Sequence, residues 1–528
     1  MPRTRLIAAA AAAALLVPTS SSAAPVTAPC SAPVAADEWP TFGHDVSNTR
    51  TQSSPGSISA ATAPTLTKAW SFTTGAAFGG FGDLNGTPIV SGGCVFLNTA
   101  GGDVIALASK DGSLVWRHHV DVPAAGLGGT FVGSPAVLPA GALPGQSGEH
   151  NPTASPPTAT VLALVDQLDA PYVLALSGAD GSVLWRSAPI VEGAGYYTNA
   201  TAVVTKGLLL AGFSPAEGDP KGRGGIAIFD AATGELLKRV YSIPDADVAR
   251  GYAGGGIWTA PAVDEAHGYA YAGTSNPYSK KIEHPNTNAV LKIDVDPKRQ
   301  TFGTVVGSYK GLIEQYDPAV RQAVDPACQA AGDDPNLQLV VGDSAPCLQL
   351  DLDFGAPPNL FRDAHGRLLI GDLQKAGVYH AADAGTMTGV WKSTVGASCP
   401  ACNAAAWAFD GSLVGASSPV GTMVSLGAQD GALRWASPLG DGTHYESTSV
   451  AGGAAFTVDN FGVLHAWELA TGVPLLKRPV QADAGADGVA TAVSSAGIAI
   501  ASGEVIVASG NVVVAYRPLS LTTGAAAH

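Results

Sequence analysis

Charge is scarce in this chain. Asp, Glu, Lys and Arg make up 13% of its 528 residues, too few to clothe long amphipathic helices on their outer faces. Basic residues are the scarcer kind, 28 against 43 acidic ones, for a formal net charge of −15. That balance argues against nucleic acid and anionic membrane surfaces as partners. Long apolar runs are missing as well. Residues 7–17 form one, shorter than the about 20 residues of an ordinary spanning helix, and the Ala/Val/Ile-rich stretch 496–508 is broken by Gly503 and Glu504. No membrane span is expected. A Leu-x-Gly-Cys lipid-attachment signal is absent, although Cys30 lies near the start. The Cys399-Pro400-Ala401-Cys402 motif is followed by Asn403 where haem attachment needs His, and no second ligand pair suggests zinc.

What is abundant is glycine, proline and apolar residues: 65 Gly, 37 Pro and 46% hydrophobic content. That mixture suits many short strands joined by turns. At this length, several domains or a repeat architecture is expected. Arg3 and Arg5, the apolar run and the small Ser22-Ala23-Ala24 read as an export signal over residues 1–24, with a linker over 25–37. A soluble protein outside the cytoplasm follows from that reading. In such a compartment the six cysteines permit disulfides. A bridge between Cys328 and Cys347 is expected to close an Asp- and Pro-rich loop, and a local disulfide is expected within the CxxC.

Self-similarity decides the fold. A strand, a turn with Asp-Gly or Thr-Gly, and a second strand often carrying Trp recur at 104–117, 172–186, 225–239, 378–392, 423–436 and 463–478. A degenerate copy lies at 289–303. Upstream of each copy stand two further strands, as in 86–100 and 258–273. Each unit therefore reads as a four-stranded antiparallel blade. A lone blade cannot bury both faces, so blades stack radially and close into a ring. Seven units are complete. The terminal stretch 505–518 lacks an outer strand, and the early 66–75, with Trp70, is an outer strand without a blade. Pairing them gives an all-β, eight-bladed propeller over 38–518, clasped by its N- and C-terminal strands. Residues 138–160 and 305–350 read as loop insertions, and 519–528 as a disordered tail.

With these repeats, the chain resembles the pyrroloquinoline-quinone (PQQ) dependent alcohol dehydrogenase superfamily, in particular its polyvinyl-alcohol-dehydrogenase-like branch. The opening Trp39-Pro-Thr-Phe-Gly-His-Asp-Val-Ser-Asn-Thr-Arg50 is similar to that branch's W-x-x-x-G-x-D-x-x-N-T-R start. The resemblance implies a site. Segment 207–219 is similar to one whose Glu, here Glu217, binds calcium; Trp258 matches the indole under the quinone. Asn276 matches an amide ligand of the metal, with Ser275 where relatives have Gly. Asp353, with Asp351 close behind, matches the neighbourhood of the catalytic base, and Asp353 also faces the metal. Lys375 matches the cation that faces the quinone. The implied cofactors are PQQ and Ca²⁺, the substrate an alcohol, secondary and polymeric ones included, and the electron acceptor a separate cytochrome or dye.

These residue types suit that chemistry. Calcium takes oxygen ligands and polarises a carbonyl; a planar cofactor needs a planar apolar floor; a carboxylate accepts a proton; and a cation offsets developing negative charge. The sequence also departs from its relatives. Leu350 and Leu348 stand where many have Trp and Asp, and no Arg occurs in 124–135. Non-catalytic propellers carry the same repeats, so a scaffold for a protein or polysaccharide partner is the alternative reading.

Overall fold

The computed structural model describes residues 29–75, 82–121, 130–140, 158–216, 218–278, 284–312, 352–397, 403–491 and 497–519. Glu217, Asp351, the four cysteines at 328, 347, 399 and 402, and the leading and trailing segments lie outside them.

Eight antiparallel sheets follow one another around a ring. Blades 1 to 7 span residues 84–119, 136–186, 203–241, 262–310, 359–394, 408–438 and 449–479; blade 8 combines 497–518 with the early strand Leu66–Thr73. That early strand pairs antiparallel with Val512–Pro518, from Leu66 opposite Pro518 to Thr73 opposite Val512. The ends of the ring are thus fastened within one sheet, as the repeats predict. Inner strands are almost wholly buried, whereas outer strands alternate; Leu114–His119, for example, buries only Trp116. The expected insertion at 305–350 starts too early. Val305–Lys310 is the outer strand of blade 4, and it carries no Trp to advertise it.

The repeat motif is a clamp between neighbouring blades. The Trp of one outer strand lies over the turn glycine of the next blade: Trp116 over Gly181, Trp391 over Gly431, Trp435 over Gly472, and Trp70 over Gly112 across the closure. A Cβ on Gly181 would stand 2.6 Å from the Trp116 ring, and its φ of 71° is one that side chains rarely adopt. Trp116 Nε1 also donates to the Gly178 carbonyl at 2.7 Å. Trp391 and Trp435 likewise donate to carbonyls of the next blade, Ala428 at 3.0 Å and Leu469 at 2.8 Å.

The segment 39–52 crosses the centre of one face of the ring. Its residues meet the inner strands in blade order: Val46 accepts from Val263 N (2.6 Å), Ser47 from Leu360 N (2.9 Å), Thr49 from Phe409 N (2.8 Å) and Arg50 from Val450 N (2.9 Å). Gln52 Nε2 donates to the Ile500 carbonyl at 3.0 Å, and Trp39 exchanges backbone hydrogen bonds with Val90 of blade 1. The opening motif is the plug of the ring. A Cβ on Gly43 would meet Asn48 Oδ1 at 2.3 Å, and Asp45 accepts from Ser47 N at 2.9 Å. Asn48 Nδ2 reaches the Pro358 carbonyl at 3.0 Å. Arg50, fully buried, donates to the carbonyls of Thr448 (2.7 Å) and Phe42 (2.6 Å) and to Ser449 Oγ (3.1 Å). No carboxylate among the described residues pairs with it, and burial lowers its pKa to about 9.

Cys30 and Cys94 form a disulfide across 64 residues, with Cα atoms 5.2 Å apart. It ties the segment read as a linker to the second strand of blade 1. Ser502 N adds a 2.7 Å hydrogen bond to the Asp37 carbonyl.

Candidate active site

One position in each of blades 2 to 7 builds the axial wall. The residue four places before the inner strand is Val132 in blade 2, Asn199 in blade 3, Trp258 in blade 4, Gly355 in blade 5, Ala404 in blade 6 and Tyr445 in blade 7, and all six line one axial cavity of 280 Å³. Phe42 of the plug borders the same cavity. Trp258 is the largest member, and small neighbours leave it room. A Cβ on Gly355 would stand 3.2 Å from the Trp258 ring edge and 3.3 Å from Lys375 Cγ, so the chain after Asp353 passes close beside the indole.

Trp258 also lines a second cavity of 210 Å³ with Tyr197, Asn199, Ser214, Ser275, Asn276, Tyr278, Asp353 and Lys375. The indole therefore partitions the axis. Four of the residues singled out in the sequence (Trp258, Asn276, Asp353 and Lys375) meet at this second cavity, and they come from segments nearly 120 residues apart. Asp353 is their hub. Its Oδ2 accepts from Trp258 Nε1 and from Lys375 Nζ, each at 3.2 Å, and its Oδ1 accepts from Asn276 N at 2.6 Å. The Lys375 ammonium sits 5.2 Å from the indole centroid, within cation–π range. Asp353 and Asn276 are buried, and Lys375 is nearly so.

Local structure explains how each side chain arrives. Lys375 follows the second strand of blade 5, Leu368–Gln374, and its N–H donates to the Asp353 carbonyl at 2.8 Å. Gln374 is fully buried and clamps the other flank: its Nε2 donates to the Leu352 carbonyl at 2.7 Å, and its Oε1 faces His380 Nε2 at 3.0 Å. Tyr309 bonds the far nitrogen of that imidazole at 2.9 Å. Asn276 lies past the end of Tyr269–Gly273. Ser275, the departure from the usual Gly, has a use: its Oγ accepts from Gly256 N at 2.7 Å and holds the backbone two residues before Trp258.

The arrangement accommodates a planar polar ligand. The Asn199 side-chain amide oxygen and Ser214 Oγ are buried in the cavity wall without a hydrogen-bond partner among the described residues; buried polar atoms in folded proteins seldom stay unpaired. The cavity thus combines an indole face, an ammonium, a carboxylate, an amide and unsatisfied oxygens. Sequence reasoning missed Asn199, Ser214 and Tyr445. The blade register would have found the first and last, since both stand where Trp258 does relative to their inner strands. Burial raises the Tyr445 phenol above its ordinary pKa, with Lys375 opposing the rise.

Comparison with known proteins gives this geometry its context. The PQQ_2 family model, described as outer membrane protein assembly factor BamB, matches residues 17–138 and 54–313, together more than half of the chain. A polyvinylalcohol dehydrogenase of Sphingopyxis sp. (strain 113P3) is 27% identical over 498 residues, covering 85% of this chain and 68% of that protein. A polyvinylalcohol dehydrogenase of Pseudomonas sp. is 27% identical over 279 residues; the match covers 49% of this chain and spans only 39% of that relative's length. Among solved structures, the quinohemoprotein alcohol dehydrogenase from Comamonas testosteroni superposes with a TM-score of 0.63 at 17% identity, covering 91% of this chain and 80% of that one; this last likeness is one of fold. The chain belongs to the PQQ family of β-propellers and is a PQQ-dependent alcohol dehydrogenase-like propeller.

Proposed function

We propose that this protein is an exported quinoprotein that oxidises alcohols, secondary and polymeric ones included, with Ca²⁺-bound PQQ over Trp258, and that it passes electrons to a separate acceptor. One observation carries the reading: Trp258, Asn276, Asp353 and Lys375 converge on a single axial cavity. A scaffold for binding partners has no use for a carboxylate, an ammonium and an indole gathered there. The names of the two dehydrogenase relatives support the alcohol as substrate class. The basic, apolar and small-residue pattern of residues 1–24 supports export.

The residues fit the cofactor. Trp258 would supply the floor, Lys375 the cation at its edge, and Asn276, Asp353 and Glu217 the oxygen ligands of the metal. When bound, the quinone supplies the hydride acceptor and the metal polarises its carbonyl. The chain's own part is proton and charge management. Asp353 takes the hydroxyl proton of the alcohol, and its three hydrogen-bond donors hold the carboxylate in one orientation for the transfer. Lys375 sits where negative charge would build, and relief of its pairing with Asp353 as the carboxyl gains the proton frees it to face that charge. Tyr197, Tyr278 and the indole line the cavity beside these groups.

Reconstitution with PQQ and Ca²⁺, followed by dye-linked oxidation of primary, secondary and polymeric alcohols, tests the reading. Quinone binding with turnover on at least one class is expected. No binding overturns it. Glu217→Ala is expected to weaken calcium-dependent retention of the quinone, and unchanged retention would remove Glu217 from the ligand set.

A further inference from the structure

Behind Tyr445, on the loop joining blades 6 and 7, three buried side chains face one point. His444 Nδ1 lies 2.7 Å from Asp441 Oδ2 and 3.4 Å from Glu446 Oε2, and the three side chains are at most 1% exposed. One donor atom from each lies within 4.8 Å of the others. The loop sits between the strands Leu433–Pro438 and Ser449–Ala451, and His444 N is anchored to Ser418 Oγ at 3.0 Å.

The hydrogen bonds outside this group fix what the imidazole presents to it. Thr457 Oγ1 donates to the Ser447 carbonyl at 3.3 Å and therefore accepts from His444 Nε2 at 3.1 Å. The Nε2 proton is committed outward, which leaves the Nδ1 lone pair pointing between two carboxylates. Such a lone pair needs a cation in front of it. A proton on Nδ1 satisfies Asp441 at 2.7 Å but leaves the Glu446 charge buried. A second proton, on Glu446, removes that charge but leaves an O–H with nothing to donate to, because Oε1 has no hydrogen-bond partner among the described residues and Oε2 already accepts from the Tyr445 N–H at 3.0 Å. Asp441 Oδ1 is likewise buried and unpartnered. Uncompensated buried carboxylates are costly. A single divalent ion balances both charges and uses the lone pair.

We propose that Asp441, His444 and Glu446 form a structural site for a divalent transition-metal ion of the zinc type. Two carboxylates and an imidazole are suitable donors for such an ion, whereas calcium favours six or more oxygens. Donors around a tetrahedral ion stand about 3.4 Å apart, the His444–Glu446 separation found here; Asp441 moves outward by a fraction of an ångström to match. The outward Nε2–H bond to Thr457 is the kind of outer contact that orients a metal-bound histidine. Full burial suits a structural role, with a water completing the four-coordinate shell. Its role is to fix the loop that carries Tyr445 to the axial wall.

The test uses the full-length protein, stripped with EDTA, then dialysed against Zn²⁺ with excess Ca²⁺ and analysed for metal content. About one zinc per chain is expected in the wild type and in Asp353→Asn, and at least tenfold less after Glu446→Gln or Asp441→Asn. Co²⁺ in place of zinc should give the visible bands of tetrahedral N/O coordination. Zinc-free wild type without cobalt bands means that protons alone occupy the cluster, and overturns the proposal. Equal zinc in wild type and Glu446→Gln overturns it too. Should the variants fail to fold, the wild-type cobalt spectrum decides.

Discussion

Trp258 and Asp353, 95 residues apart in sequence, are joined by an indole N–H that donates to carboxylate Oδ2 at 3.2 Å. The floor of the cavity and its carboxylate are therefore one unit. Trp258→Phe keeps an aromatic floor but frees Asp353, whereas Trp258→Ala removes the floor and merges the two axial cavities. Loss of a stacking face should cost about 0.5–1.5 kcal/mol of quinone binding beyond the buried area it gives up. Fluorescence titration should show Trp258→Ala weakened by tenfold or more, and Trp258→Phe by less; equal affinity in all three proteins would remove the indole from the cofactor floor.

Asp353 and Lys375 make separable predictions. Asp353→Asn preserves shape and hydrogen-bond reach but removes the proton acceptor, so kcat should fall by about 10²–10⁴ with quinone binding changed far less. Lys375→Met should lower both quinone affinity and turnover, because a cation near the site of developing charge is lost. Steady-state kinetics beside binding titrations reads the split. An Asp353→Asn enzyme with wild-type kcat would move the base elsewhere.

Arg50 is the pivot of the plug. It is buried without a counter-ion among the described residues, adopts a left-handed backbone (φ 51°), and bonds to blades 7 and 8 and to Phe42. Arg50→Lys keeps the charge but cannot span that fan of acceptors. A loss of about 2–4 kcal/mol in unfolding free energy is expected, since buried carbonyls lose donors. Urea unfolding measures it, and a loss below about 0.5 kcal/mol would show that the hydrogen bonds do not secure the ring.

His380 gives the fold a pH dependence of known sign. Burial lowers its pKa to about 4, and its two nitrogens are used by Tyr309 and Gln374. The unfolded chain binds a proton near pH 6.5, whereas the native state refuses it until about pH 4. The stability contribution is full above about pH 6.5 and declines as pH falls toward about 4, by up to about 3 kcal/mol. His380→Gln should be less stable than wild type at about pH 7, with the gap shrinking by about pH 5. A gap independent of pH would mean that another group carries the titration.

The ring was legible because its clamp repeats. Trp and turn glycine recur in register at five of the eight junctions where an outer strand docks on the next blade, so 104–117 and 172–186 announce themselves. Where the clamp lapses, so does the signal. Val305–Lys310 has no Trp and follows a long turn, and it hid inside an apparent insertion. The plug was visible as a motif but not as a plug, because hydrogen bonds to strands hundreds of residues away leave no local pattern. The same holds for Cys30 and Cys94. At the site, Trp258, Asn276, Asp353 and Lys375 were found through resemblance and are brought together by the fold. Asn199 and Tyr445 escaped because only blade register, not residue type, marks them. Asp441, His444 and Glu446 share a loop with no periodicity, where such residues read as ordinary solvated polar groups.

The crossing of the ring face by residues 46–52 has a consequence for assembly. This stretch acts as an axle whose sockets are the inner strands of blades 4 to 8, all encoded later in the chain. The axle is synthesised before any part of the wheel it must centre, and its last socket, at Ile500, arrives almost 450 residues after it. A chain cut short before that point leaves the axle without its last socket. Seating of the axle is therefore a closing event of folding, reached only when the final blade is at hand.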